Sequence, residues 1–99
     1  MAYIGDVMIE GAKGRGRLDW ALTVRIEGRS NAVSVARRIL LQVAIAGKYG
    51  IESSELRTVL GDIPERTFYR GLERLQAQKL IHNGREYWRR KTWYLADPE

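Results

Sequence analysis

The chain has 99 residues and a mass of 11.4 kDa, enough for one core that buries roughly 60 to 65% of the unfolded surface and too little for a two-domain enzyme. Lys and Arg number 17 against 12 Asp and Glu, for a net charge of +5, and 13 of the 17 are Arg. A guanidinium excess suits planar or bidentate acceptors such as phosphates and guanine edges, which makes nucleic acid the first partner to consider, although a basic balance alone can serve solubility.

The lack of Cys removes disulfides and thiolate metal sites and fits a reducing compartment. Residues 1–10 carry Asp6 and Glu10 where a signal peptide would need a basic start and an apolar run. The longest nearly apolar stretch, residues 39–47, is about half a membrane span and contains Gln42. A cytoplasmic protein with no membrane contact is expected, in the host cytoplasm if the chain is phage-encoded. Catalysis finds little support. His82 is the single His, so no second imidazole or thiol completes a metal site or a nucleophilic dyad. No catalytic residue, metal or cofactor is assigned. The glycines of Gly11-Ala12-Lys13-Gly14-Arg15-Gly16 lack the Lys-Ser/Thr ending of a phosphate-binding loop and precede a strand pattern rather than a helix.

In chain order, Tyr3, Val7 and Ile9 share one phase of a β-favouring segment. Leu18, Trp20, Leu22, Val24 and Ile26 alternate with Asp19, Thr23, Arg25 and Glu27. Residues 2–28 therefore read as an N-terminal β-hairpin whose loop is the Gly-rich run, and whose apolar face must pack on the helices downstream or on another chain. Ser30 or Asn31 is the natural N-cap of a first helix over 31–48, with Val35, Ala36, Ile39, Leu40, Val43 and Ala44 at helical spacing. Leu41 and Ile45 widen its apolar surface and imply contacts on two sides. Ser53 caps a short second helix burying Leu56, Val59 and Leu60 and stopped by Gly61. Pro64 opens a third helix over 64–78, with Phe68, Leu72 and Leu75 inward. Gly71 inside that helix costs about 1 kcal/mol relative to Ala, and close packing is the preferred reason for it. Leu80-Ile81-His82 then leads into Asn83-Gly84, a dipeptide suited to a hairpin turn, and a last strand returns through Trp93 and Leu95 to the core.

The order helix, helix, turn, helix, basic hairpin resembles a winged helix-turn-helix domain of bacterial, archaeal, phage and plasmid transcription regulators. The similarity rests on Ile39-Leu40-Leu41 in the first helix and Ser53-Ser54-Glu55-Leu56 opening the second. In the third it rests on Ile63-Pro64-Glu65-Arg66-Thr67-Phe68-Tyr69-Arg70 and on Gly71-Leu72-Glu73-Arg74-Leu75, leading to Lys79-Leu80-Ile81 before the wing. It covers residues 31–97. Such domains often have Gly where this chain has Lys79, so a less sharply left-handed helix end is expected here. The implied fold is α+β, a single domain over 1–99 with three helices and a C-terminal β-wing preceded by the hairpin.

The resemblance implies that helix 64–78 enters the major groove and presents Arg66, Thr67, Tyr69, Arg70 and Arg74. Arg66 and Arg70, one turn apart, can each donate twice to guanine O6 and N7. Glu65 can accept from cytosine N4 or simply stabilise the first turn. The wing over 83–91 would place Arg85, Arg89, Arg90 and Lys91 on the backbone or in the minor groove. Residues 66–91 hold eight Lys or Arg against Glu73 and Glu86, a local charge of +6, so the remainder of the chain is slightly acidic. Within Lys13-Gly14-Arg15-Gly16-Arg17, the Arg-Gly-Arg looks like the centre of an AT-hook without its Pro, and the segment reads as a solvated loop. The expected partners are double-stranded DNA and a second copy of the chain, bound through the N-terminal hairpin and first helix. The expected function is a sequence-specific, repressor-like transcriptional regulator. The alternative is a protein-interaction or assembly module in a replication, partition or transposition complex.

Overall fold

A computed structural model describes residues 16–84 and 92–96. It is an α+β fold with a helix α1 over 16–23, α2 (Ser30–Ala46), a 3-10 turn (Gly47–Tyr49), β1 (Ile51–Glu52), α3 (Ser53–Val59), α4 (Glu65–Ala77), β2 (Ile81–Asn83) and β3 (Thr92–Leu95). The three strands form an antiparallel sheet in the order β1-β3-β2.

The strand expected at Leu18 to Ile26 is corrected to a helix followed by a segment without regular structure. Ala21 occupies the phase that alternation assigns to solvent, yet it is fully buried. Trp20 and Val24 pack beside it against the core, so the working period is 3.6 rather than 2. Leu22, on the supposed inner face, is 55% exposed. The Val24 amide donates to the Trp20 carbonyl at 2.7 Å, and Thr23 Oγ1 donates to the Asp19 carbonyl at 2.7 Å. Gly16 and Arg17, expected in a loop, lie in this helix. The strand expected near Tyr3 to Ile9 lies outside the described residues.

The helices expected over 31–48, from Ser53 and over 64–78 are present with small shifts at their ends. Ser53, expected as the cap of α3, is its first helical residue, and the N-cap position is Glu52. Neither Ser30 nor Asn31 caps α2; the N-cap position is Arg29, with no side-chain hydrogen bond. Pro64 stands one residue before α4, at its N-cap position, and its carbonyl accepts from the Phe68 amide at 2.9 Å. Ile39, Leu40 and Val43 of α2 meet Leu56 of α3, Phe68, Leu72 and Leu75 of α4, Ile81 of β2 and Trp93 of β3 in one core. Val59, expected in that core, is 54% exposed. Seven residues make α3 barely two turns, and Leu56 is the residue of that helix that is buried. Trp93 donates its indole N–H to Ser53 Oγ at 2.8 Å, which ties β3 to the start of α3.

Two further expectations change. Asn83 and Gly84 do not form a tight turn, because Asn83 still pairs with Trp93 and the Gly84 amide donates to the Thr92 carbonyl at 2.9 Å. Neither is among the described residues with positive φ. Lys79, expected to relax the end of α4, is sharply left-handed at φ 61°. The Leu80 amide reaches the Leu75 carbonyl at 2.9 Å and the Lys79 amide the Gln76 carbonyl at 3.0 Å. That is the paired closure of a Schellman motif, with Leu75 and Leu80 both buried beneath it.

Candidate nucleic-acid interface

Helix α4 is sharply two-sided. Phe68, Gly71, Leu72 and Leu75 are buried, while Glu65, Arg66, Thr67, Tyr69, Arg70 and Glu73 are exposed. Gly71 is buried because α2 approaches closely. A Cβ built there would lie 2.6 Å from Ile39 Cδ1 and 3.5 Å from Val35 Cγ1. The close-packing reason for this glycine therefore stands, and contact with α2 fixes the direction in which Arg66 and Arg70 project. Tyr69 sets its ring edge-on to Phe68, with centroids 5.2 Å apart, and stays 44% exposed. Its position is thus set by a buried neighbour while much of the side chain remains open to a partner.

Arg74 is placed differently from Arg66 and Arg70. It is half-buried, and its Nη1 donates to the Glu27 carbonyl at 2.8 Å. Gln78, one turn on, donates Nε2 to the same carbonyl at 3.0 Å and accepts from the Glu27 amide at 3.0 Å. Gly28, at φ 142°, leaves room for this clamp, since a Cβ there would sit 2.3 Å from Arg74 Nη1. Arg74 and Gln78 thereby hold the linker between α1 and α2 against α4. Arg85, Arg89, Arg90 and Lys91 lie outside the described residues.

Sequence reasoning did not anticipate how many guanidinium groups bind the protein itself. Arg37 donates Nη1 to the carbonyls of Ala21 at 2.9 Å and Val24 at 2.6 Å, satisfying the end of α1. Arg57 donates to the Leu60 and Ile63 carbonyls, and its guanidinium lies 5.7 Å from the Phe68 ring centroid. It joins α3, the turn and α4. Arg38 grips Asp62 with both nitrogens, at 2.7 and 2.9 Å. Hydrogen bonds from Arg38 hold the Asp62 carboxyl below its ordinary range, and the same contacts raise the Arg38 pKa. This pairing offsets a negative charge two residues before Pro64, next to the exposed arginines of α4.

Between the first turn of α2 and α4 lies a cavity of about 260 Å³ lined by Asn31, Ala32 and Val35 on one side and Thr67, Arg70 and Arg74 on the other. The first turn of α2, without a side-chain cap, borders it. Thr67 and Arg70 of α4 thus face the first turn of α2 across this groove. Among the described residues no group of His, Cys, Asp and Glu is arranged to hold a metal ion, and no helix is long and apolar enough to cross a membrane. Comparison with protein-family models, with curated proteins and with solved structures finds no match for this chain.

Proposed function

We propose that the chain is a winged helix-turn-helix protein that binds double-stranded DNA sequence-specifically and acts as a repressor-like transcriptional regulator without catalysis. One observation carries this reading: α4 exposes Arg66, Thr67, Tyr69 and Arg70 on a helix whose opposite side is locked into the core. A rigidly held helix with two guanidinium groups one turn apart has the donors that guanine edges accept. Thr67 and Tyr69 are suited to thymine methyl, sugar or phosphate contacts, and the groove beside Arg70 to a backbone phosphate. In this reading α3, the turn and α4 form the helix-turn-helix, and β2, β3 and the basic residues 85–91 form the wing. Arg74 supports α4 through Glu27 while adding to the local positive charge.

Selection of bound duplexes from a random pool, followed by anisotropy titration of the selected site, tests it. Arg66→Ala and Arg70→Ala are each expected to lose about 1–3 kcal/mol of discrimination at particular base pairs. If about six phosphates are neutralised per subunit, affinity falls on the order of 10³-fold between 50 and 200 mM salt. Binding that ignores salt, or variants that leave both affinity and base preference unchanged, would overturn the reading.

The exposed apolar side chains of α1, α2 and the adjoining 3-10 turn favour a protein contact as well, with Leu22, Ile45 and Tyr49 all open. We assign this to a homodimer that would lengthen the recognised site, to be seen as a doubled mass in light scattering at micromolar concentration. Used alone, these side chains would make the chain an assembly module. Such a module would keep its partner when Arg66 and Arg70 are replaced.

A further inference from the structure

A second basic site lies away from α4, where α1, the junction after α2 and the outer face of the sheet meet. A cavity of about 290 Å³ is lined there by Arg17, Gly47, Lys48, His82, Tyr94 and Leu95. No residue of α4 contributes to it, and among the described residues its lining holds no carboxylate. We infer that this cleft binds a small phosphorylated ligand, distinct from the DNA contacted by α4.

Three features support that assignment. First, Arg17, Lys48 and His82 come from three elements far apart in sequence, and the fold gathers two cations and an imidazole around one space. Among the described residues no carboxylate in the lining offsets these cations, and a phosphoryl group suits them by accepting from a guanidinium fork, an ammonium and a ring nitrogen together. Second, the backbone is shaped for the approach. Gly47 ends α2 at φ 63°, and a Cβ there would come within 3.3 Å of Arg17 Nη1. Third, the floor is an aromatic pair fixed in advance. His82 and Tyr94 are cross-strand partners, stacked with centroids 5.5 Å apart and planes at 19°.

Two glycines set the Tyr94 ring. A Cβ at Gly50 would lie 2.7 Å from Tyr94 Cε1, and one at Gly84 would lie 2.6 Å from Cε2, on the opposite ring edge. The ring sits in a slot that side chains at either position would close. Its orientation therefore does not depend on a ligand being present. The cleft, at about 290 Å³, lies just below the range of small-molecule sites, roughly 300 to 1,000 Å³. It has room for more than the bare anion, and the stacked rings suit an organic part next to the phosphate.

The test is an amide NMR titration of the full chain with inorganic pyrophosphate, run beside sodium chloride at matched ionic strength. Saturable shifts are expected at Lys48, His82, Leu95 and Ala96, with no matching response to chloride. Combined Arg17→Ala and Lys48→Ala replacements are expected to weaken binding about tenfold or more. Both side chains are exposed, so unchanged signals from Ile39, Phe68 and Trp93 will show that the fold is intact. Linear shifts that chloride reproduces, or affinity kept within about twofold in the double variant, would overturn the site. A parallel arm uses a short DNA duplex. If the cleft amides respond to the duplex and not to pyrophosphate, the phosphate they recognise is the DNA backbone and the small-ligand site is refuted.

Discussion

Replacing Gly71 by Ala sets two effects of similar size against each other, and the structure says which prevails. Helix propensity favours Ala by about 1 kcal/mol at an interior position. Against this, the new Cβ would lie 2.6 Å from Ile39 Cδ1, about 1 Å inside the favourable carbon separation of roughly 3.5–4.0 Å. Ile39 is fully buried between α2 and α4, so its methyl can yield only by leaving its rotamer or by pushing the helices apart. Overpacking of that kind costs about 1–3 kcal/mol, and the net expectation is a loss of about 1 kcal/mol. Ile39→Val removes the offending methyl and by itself costs about 0.5–1.5 kcal/mol. In that background the nearest remaining neighbour of the new Cβ is Val35 Cγ1 at 3.5 Å, an ordinary contact. Gly71→Ala should then stabilise by up to about 1 kcal/mol. Urea unfolding of the four proteins, followed by far-UV circular dichroism, closes the cycle. The reasoning fails if Gly71→Ala stabilises the parent chain, or if its effect in the two backgrounds agrees within about 0.5 kcal/mol.

Lys79 holds a left-handed conformation at φ 61° that costs an L-residue about 1–2 kcal/mol. Lys79→Gly removes that cost but loosens the unfolded chain by about 0.4–1 kcal/mol, so a gain of about 0.5–1 kcal/mol and a Tm a few degrees higher are expected; a lower Tm would contradict the Schellman closure. Asp62 titrates below the ordinary carboxylate range because Arg38 hydrogen-bonds it. Its contribution to stability is therefore present above the unfolded carboxylate pKa and lost as pH falls through the lowered one. Arg38→Met should move the Asp62 midpoint, followed by its carboxyl carbon shift, up towards the ordinary range, and an unchanged midpoint would sink that assignment.

The parts of the fold legible in the sequence are those where one period dominates. Ile39, Leu40 and Val43, and then Phe68, Leu72 and Leu75, repeat at helical spacing on faces that the structure buries. The segment from Leu18 to Ile26 failed the same method because two periods coexist there. Its large residues alternate, but it is small Ala21 that is fully buried, and alternation ranks residues by size and polarity rather than by fit. Arg37 marks this helix only once the chain is folded. A guanidinium reaching the Ala21 and Val24 carbonyls closes a helix end, a tertiary contact that no local pattern shows. β1 was missed for a related reason: a two-residue strand has no period of its own, and it exists because Trp93 and Thr92 supply its partners.

The candidate site was legible in its exposed residues and misleading in its arithmetic. Arg66, Thr67, Tyr69 and Arg70 follow from the positions of Phe68 and Leu72 alone, since helical geometry turns what is not buried outward. The total of 13 Arg, by contrast, counts structural and exposed groups together. Arg37, Arg57 and Arg74 donate to backbone carbonyls and Arg38 to Asp62, so four of them bind elements of the fold to one another. An Arg suits that work for the same reason it suits phosphate or guanine, because its rigid fork meets several acceptors at once. Composition cannot separate the two uses; partners can. Arg74 shows this best, since its charge belongs to the basic face of α4 while its Nη1 is committed to Glu27. What distinguishes α4 is therefore not how much Arg the chain contains. It is that Arg66 and Arg70 stand exposed on a helix whose other face, through Gly71 and Ile39, has no freedom to turn them aside.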